Sequence, residues 1–119
     1  MANGRLLLVE DEPDLRALLA ISLQRAGYTV DTASTAAEAQ ELMHTHSYAM
    51  VIVDWVLPDG NGIDLADDAL QRHARTLIIS GYAFGLPAGA AQRHEMLIKP
   101  VSTDDLVAAV QRRIGNPMS

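Results

Sequence analysis

The sequence predicts an α/β fold, in which a doubly wound sheet of five parallel strands carries helices on both faces. Short runs of consecutive apolar residues alternate along the chain with longer segments that have the apolar spacing of helices. This strand–helix order repeats five times, which is typical of a parallel sheet buried on both sides. Four of the apolar runs end in polar or charged residues, and the carboxyl ends of parallel strands line one crevice.

The apolar runs predict strands at residues 6–9, Tyr28–Thr32, Met50–Val53, Leu77–Ile79 and Met96–Ile98. Apolar residues three and four positions apart predict helices at Pro13–Arg25, from Thr35 to about Met43, from Ile63 to about Arg72, and around Leu106, Val107, Val110 and Ile114. Pro13 suits a first helical turn and Gly27 a helix stop. Thr35 and Glu38 have the spacing of a capping box, and Ser102 or Thr103 can cap the last helix.

Length and composition limit the kinds of protein that this chain can form. Its 119 residues, 49% of them hydrophobic, are enough for one core, so we expect one domain over residues 1–119 with its core at about 5–115 and a tail at 116–119. The net charge of −6 argues against nucleic-acid binding. Cysteine is absent, and the first apolar run of four residues is too short for a signal sequence or a membrane span. We therefore expect a soluble cytoplasmic protein.

The residues at the strand ends are expected to meet in one crevice. Glu10 and Asp11 follow the first strand, Asp54 the third, Ser80 the fourth and Lys99 the fifth. Crowded carboxylates repel one another, and a hard divalent cation with oxygen ligands offsets that repulsion; Mg²⁺ is the usual one where phosphate is handled. Each residue alone also has a simpler interpretation: Asp11 as a helix cap, Ser80 as a turn residue and Lys99 as a solvated side chain.

The motifs at these strand ends resemble those of bacterial two-component response-regulator receivers. They are Leu8-Val9-Glu10-Asp11-Glu12, Val53-Asp54-Trp55-Val56-Leu57-Pro58 with Gly62, Ile79-Ser80-Gly81 and Ile98-Lys99-Pro100, and together they span nearly the whole chain. The resemblance implies a flavodoxin-like sheet with strand order 2-1-3-4-5. It also implies a phosphoryl group received on Asp54 from a sensor histidine kinase or a phosphotransfer protein, and signalling by docking to a downstream protein.

The resemblance further implies a role for each residue of the crevice. Asp11 and Asp54 would bind Mg²⁺, Glu10 would act through a metal-bound water, and the carbonyl of Val56 would be another ligand. Ser80 would donate a hydrogen bond to the phosphoryl oxygens and Lys99 would pair with them. The Lys99–Pro100 peptide bond is cis in that family. The chain would not be an enzyme, except that it assists its own phosphorylation and dephosphorylation.

Two features depart from the family pattern. Met96 stands three residues before Lys99, where receivers usually carry Tyr or Phe. The stretch from Gly81 to His94 is rich in Gly and Pro and shorter than usual, which predicts a short or degenerate fourth helix and is similar to receivers of hybrid sensor kinases. Val56 and Tyr82 would flank the path of the hydrolytic water, and neither could orient it, so slow loss of the phosphoryl group is expected.

Two other functions are compatible with parts of the sequence. A haloacid-dehalogenase-like phosphatase also uses Asp, Mg²⁺, Ser or Thr and Lys at strand ends, but it needs an acid two residues after the nucleophile, where this chain has Val56. A binding module that keeps the fold without taking phosphate is the other alternative. A calcium loop at residues 59–64 and metal roles for the four histidines are disfavoured by their spacing and ligand types.

Overall fold

The computed structural model describes residues 4–81, 87 and 89–115. Along the chain the elements are β1 (Arg5–Val9), α1 (Pro13–Arg25), β2 (Thr29–Ala33), α2 (Ala36–Thr45), β3 (Met50–Asp54), β4 (Val56–Leu57), β5 (Gly60–Asn61), α3 (Gly62–Gln71), β6 (Arg75–Ser80), α4 (Ala90–Arg93), β7 (Glu95–Ile98) and α5 (Thr103–Ile114). In the described ranges no helix is both long and apolar enough to cross a membrane.

The main sheet has five parallel strands in the order β2-β1-β3-β6-β7. Numbered within that sheet alone, the order is 2-1-3-4-5, so the predicted flavodoxin-like topology is confirmed. β2 pairs with one edge of β1 and β3 pairs with the other edge. The carboxyl ends of β1 and β3 therefore flank the point where the strand order reverses, which is where α/β sheets bind ligands.

Two apolar layers cover the sheet and explain the uninterrupted apolar runs. Successive side chains of a strand point to opposite faces, so a strand buried on both faces needs apolar residues at every position. One layer packs α2 and α3 against one face, and the other packs α1 and α5 against the opposite face. All five residues of β3 are buried, including its last residue, Asp54. Because β3 is the central strand of the sheet, its last residue places a carboxylate at the edge of the core.

The longer helices α1, α2, α3 and α5 begin at polar caps, although not always at the residues that the sequence indicates. The side chain of Glu12 caps α1 by accepting hydrogen bonds from the backbone amides of the first turn. The hydroxyl of Thr35 accepts from the amide of Glu38, as a capping box requires, but the Glu38 carboxylate accepts from the amide of Ser34 instead of Thr35. Ser102 caps α5, which is one of the two residues expected to do so.

The β4–β5 hairpin was not predicted. The Pro- and Gly-containing stretch after Asp54 suggests a plain loop, yet Val56 pairs with Asn61 and Leu57 pairs with Gly60 in antiparallel register. Asp59, at the tip of the hairpin, accepts hydrogen bonds from the first two amides of α2 at 2.7 and 3.0 Å. The hairpin is therefore tied to α2, which holds the loop that follows Asp54.

The fourth helix is short, as predicted. It has four residues, Ala90–Arg93, and a helix of one turn does not hold itself together in water. Polar contacts attach it to α3: the Arg93 guanidinium and the Nε2 of His94 both contact the carboxylate of Asp67, at 2.9 and 2.7 Å. The other ring nitrogen of His94 contacts the hydroxyl of Thr76 on β6. Buried His94 therefore serves to join three elements.

Candidate functional site

The structure brings the strand-end residues together in one crevice. Carboxylate oxygens of Glu10, Asp11 and Asp54 all lie within 4.8 Å of one another. The Nζ of Lys99 lies 2.8 Å from Oδ2 of Asp54 and 3.4 Å from Oε1 of Glu10. Ser80 is the last residue of β6, the strand next to β3. Residues from positions 10 to 99 meet here because β1, β3, β6 and β7 are neighbours in the sheet.

Asp54 is held in place by a close approach of the backbone at Gly62. Its residue surface is only 7% exposed. The amide of Gly62 donates to the carbonyl of Trp55 at 2.7 Å, and a Cβ atom at position 62 would lie 2.0 Å from the carbonyl oxygen of Asp54. Only glycine fits at that distance. The glycine of the sequence motif is therefore explained by its packing against the main chain of Asp54.

Glu10 is a buried carboxyl with one oxygen that accepts no hydrogen bond from the described residues, although the Lys99 ammonium lies 3.4 Å away. The residue is 1% exposed, and Oε2 accepts from the amide of Glu12 at 3.2 Å. Oε1 is buried and accepts no hydrogen bond in the described part of the chain. Burial is the main cause that raises the pKa of Glu10 to about 7, and the nearby charge of Asp54 raises it further. The hydrogen bond from the Glu12 amide and the charge of Lys99 act in the opposite direction. A buried acceptor without a donor is what a metal-bound water would satisfy.

Asp11 is exposed at the mouth of the crevice. The sequence leaves open whether it caps α1, and the structure gives that role to Glu12. The Asp11 carboxylate contributes instead to the cluster with Glu10 and Asp54. The interpretation of Asp11 as a helix cap is therefore wrong. The carboxylate of Asp11 lies with those of Glu10 and Asp54 instead.

Lys99 is anchored at both its backbone and its side chain. Its amide donates to the carbonyl of Ser80 at 2.8 Å, and its ammonium donates to Asp54. Partial burial would lower the pKa of Lys99, but the hydrogen bond to Asp54 and the charges of Asp54 and Glu10 raise it above its usual value. The ammonium therefore stays charged beside the carboxylates. The Lys99–Pro100 peptide bond is cis, as the family resemblance implies.

The donor set of the crevice fits a hard divalent cation. Three carboxylates with a single ammonium leave an excess of negative charge, and all the oxygens are of the type that Mg²⁺ prefers. The described residues supply no thiolate, and cysteine is absent from the whole chain. The geometry can therefore gather a divalent cation, a carboxylate nucleophile and a fixed ammonium around one small anionic group.

The chain matches a known protein family over most of its length. Residues 6–111 match the response regulator receiver domain. This chain belongs to that family. It is thus a receiver of the class used in two-component signalling, and its five-stranded sheet has the topology that those receivers share.

Three similar proteins illustrate the match. The response regulator protein PilR of Pseudomonas aeruginosa is 35% identical over an alignment of 124 positions, gaps included, which covers 98% of this receiver and 28% of PilR. The response regulator protein TrrA of Thermotoga maritima, solved in complex with Mg²⁺-BeF, has 29% identity and a TM-score of 0.81, covering 91% of this chain and 96% of that one. The receiver domain of the hybrid histidine kinase CckA has 29% identity and a TM-score of 0.80, covering 93% and 99%.

The receiver spans about a quarter to a half of the length of the curated relatives that it matches.

Of the departures from the usual receiver pattern, Met96 lies in the described part of the chain, on the strand that leads to Lys99. Met96 is half-buried on β7, paired in register with Ile78, and packs against the apolar layer under α2 and α3. The side chain of Val56 is at the rim and 60% exposed. Tyr82, predicted to flank the path of water, lies outside the described residues, as does most of the segment after Gly81.

Sequence reasoning missed Arg16. Its guanidinium donates a hydrogen bond of 2.9 Å to the backbone carbonyl of Glu10. A signal was present, because side chains near the start of a helix tilt toward its N-terminus, and α1 starts just after the acidic pair. A long basic side chain in the first turn can therefore reach back over the strand end that carries Glu10 and Asp11.

Proposed function

We propose that this receiver accepts a phosphoryl group on Asp54 from a phosphohistidine of a sensor histidine kinase or phosphotransfer protein. One observation carries the proposal: buried Asp54 is paired with the ammonium of Lys99 and lies in a cluster of carboxylates that fits a divalent cation. A buried carboxylate at a strand end is costly unless it is compensated, and here the compensation consists of groups that also bind phosphoryl oxygens.

The reaction transfers the phosphoryl group from nitrogen to oxygen. An oxygen of the Asp54 carboxylate attacks phosphorus in line with the P–N bond, which breaks as the P–O bond forms. The imidazole leaves with the electron pair of the broken bond. The product is an acyl phosphate, which water later cleaves to give inorganic phosphate and the original carboxylate. This lability makes the mark reversible.

Each residue of the crevice has a proposed part in that transfer. Lys99 is close enough to Asp54 to pair with an oxygen of a phosphoryl group bound there, and buried Ser80 would donate its hydroxyl to another oxygen. Asp11, Asp54 and the carbonyl of Val56 would hold Mg²⁺ directly, and Glu10 would hold one of its waters. Mg²⁺ would supply charge neutralisation for the carboxylates and the phosphoryl oxygens. TrrA, a similar receiver, was solved with Mg²⁺-BeF, which supports this set.

Signalling would follow by docking to a protein target. Receivers of this family are signalling domains, and the −6 net charge gives no basis for nucleic-acid binding by this chain itself. A phosphoryl group on Asp54 would exchange the Lys99–Asp54 pair for a pair with phosphoryl oxygens. Because the Lys99 amide is bonded to Ser80, such a change would involve the ends of both β6 and β7.

The experiment is incubation of the protein with acetyl phosphate and Mg²⁺, followed by intact mass spectrometry. The wild type should gain one phosphoryl group, and Asp54→Asn should gain none. Asp64→Asn, which changes an exposed acid of α3 outside the crevice, is the matched control and should behave as the wild type. Uptake by Asp54→Asn equal to that of the wild type would disprove the assignment. No uptake by the wild type would instead favour a binding module that is not phosphorylated.

A further inference from the structure

The guanidinium of Arg16 binds a backbone carbonyl and not a carboxylate of the described residues. The side chain is half-buried on α1, and its guanidinium donates to the carbonyl oxygen of Glu10 at 2.9 Å. Among the described residues no carboxylate is within 4.0 Å of that guanidinium. The contact is a charge-assisted hydrogen bond, which is stronger than one between neutral groups. Its target is the peptide that joins Glu10 to Asp11.

That peptide decides where two of the three clustered carboxylates lie. The amide of Glu10 donates to the carbonyl of Ala33 at 3.0 Å, which extends the pairing of β1 and β2 by one residue. After this point the chain leaves the sheet, and α1 begins only at Pro13. Within this turn, the carbonyl of Glu10 is held by Arg16 and its Oε2 by the amide of Glu12.

Asp11 depends most on this support. It is exposed, it belongs to neither β1 nor α1, and Glu12 has taken the capping role that could have fixed it. Its Cα follows the carbonyl of Glu10 across a single planar peptide, so a rotation of that peptide moves the Asp11 carboxylate. The carboxylates of Glu10 and Asp54 are buried, so packing restrains them as well.

We propose that Arg16 is a positioning residue for the divalent cation. Its guanidinium fixes the Glu10–Asp11 peptide so that the carboxylates of Glu10, Asp11 and Asp54 stay together around one ion. This inference rests on the proposed function, in which those three residues gather Mg²⁺. Arg16 itself touches neither the ion nor the phosphoryl group.

The test is the affinity for Mg²⁺ of Arg16→Met and Arg16→Lys, measured by titration of the fluorescence of Trp55. This is the single tryptophan of the chain and directly follows Asp54. Loss of a group that orients metal ligands typically weakens metal binding by about 10-fold or more, and we expect a loss of that size for Arg16→Met. Arg16→Lys keeps a charged donor and should recover part of it. Arg25→Met, on the exposed last turn of α1, is the control and should bind as the wild type.

A structural role would give a different pattern. If Arg16 only stabilised the fold, Arg16→Met would lower the unfolding temperature in EDTA, while the folded protein would bind Mg²⁺ with the affinity of the wild type. That result, or equal affinity of Arg16→Met and wild type, would overturn the inference. Should Arg16→Met not fold, Arg16→Lys is judged by the same criterion against Arg25→Met.

The outcome is separable from that of the proposed function. The Mg²⁺ titration needs no phosphoryl donor. A lower Mg²⁺ affinity of Arg16→Met therefore supports the positioning role even if the wild type fails to take phosphate. Conversely, phosphate uptake on Asp54 with unchanged Mg²⁺ affinity in Arg16→Met supports the proposed function and disproves the role of Arg16.

Discussion

Glu10 illustrates how a single residue can link the fold to the bound cation. Its pKa, raised to about 7 from 4.5, means that the folded protein without a cation binds a proton more tightly than the unfolded chain does. Between these values the folded state carries more protons, so this group makes the free energy of unfolding fall as pH rises. Its stabilising contribution is present below the unfolded pKa and is lost as pH passes through about 7.

Glu10→Gln should therefore stabilise the cation-free protein at about pH 8 and change it little at about pH 5, because glutamine resembles the protonated acid. The measurement is thermal unfolding in EDTA at both pH values, followed by circular dichroism. Glu41→Gln, at an exposed position of α2, is the control and should show no such pH dependence. An equal effect of Glu10→Gln at both pH values would contradict the raised pKa.

Val56 is expected to affect how long the phosphoryl group stays on Asp54. Its exposed side chain is apolar and stands at the rim two residues after Asp54, so it cannot orient an attacking water. Val56→Asn would supply an amide for that purpose and should speed loss of the phosphoryl group several-fold. Decay is followed by intact mass after removal of the donor, with Leu70→Asn on α3 as the control. Equal decay of Val56→Asn and wild type would remove Val56 from this role.

At the scale of elements, the hairpin after Asp54 depends on Gly62. A Cβ there would overlap the carbonyl of Asp54, whereas a Cβ at Gly60 would make an ordinary contact of 3.5 Å with Ala36. Gly62→Ala should lower the free energy of unfolding by about 3 kcal/mol, as overpacking against rigid backbone does. Gly60→Ala, in β5 just before α3, should lower it far less. Urea denaturation of the two variants decides this, and equal stabilities would contradict the close approach.

The attachment of α4 is tested at Thr76. Its hydroxyl contacts the Nδ1 of buried His94, whose Nε2 contacts Asp67. Thr76→Val keeps the side-chain shape but leaves a buried ring nitrogen without a partner, which typically costs about 1–3 kcal/mol. Thr29→Val, at an exposed position of β2, is the control. A stability of Thr76→Val equal to that of Thr29→Val in urea would show that the contact does not hold α4.

The elements themselves are largely predictable, and their ends are not. Runs of consecutive apolar residues predict the five sheet strands and apolar periodicity predicts the long helices, because burial on both faces or on one face determines where apolar residues stand. The second strand lies one residue later than predicted, at Thr29–Ala33, and α2 continues to Thr45 instead of Met43. The β4–β5 hairpin has only two residues in each strand, too few for any periodicity to indicate it.

At the scale of the whole molecule, topology explains why a site can be expected from separate motifs. Glu10, Asp54, Ser80 and Lys99 end or follow adjacent parallel strands, so the strand order alone brings them to one edge. What the sequence does not contain is the assignment of each contact. Glu12 rather than Asp11 caps α1, and Arg16 reaches the carbonyl of Glu10, because the path of the turn between β1 and α1 decides these details.

The central claim, that Asp54 receives the phosphoryl group, is tested most directly by reductive trapping. Borohydride reduces an acyl phosphate to an alcohol with release of phosphate, so phosphorylated aspartate becomes homoserine, which peptide mass spectrometry locates. After treatment with acetyl phosphate and Mg²⁺, we predict homoserine at position 54 alone, and none when Mg²⁺ is replaced by EDTA. Homoserine at Asp11 or at any other aspartate, with Asp54 unchanged, would contradict the account.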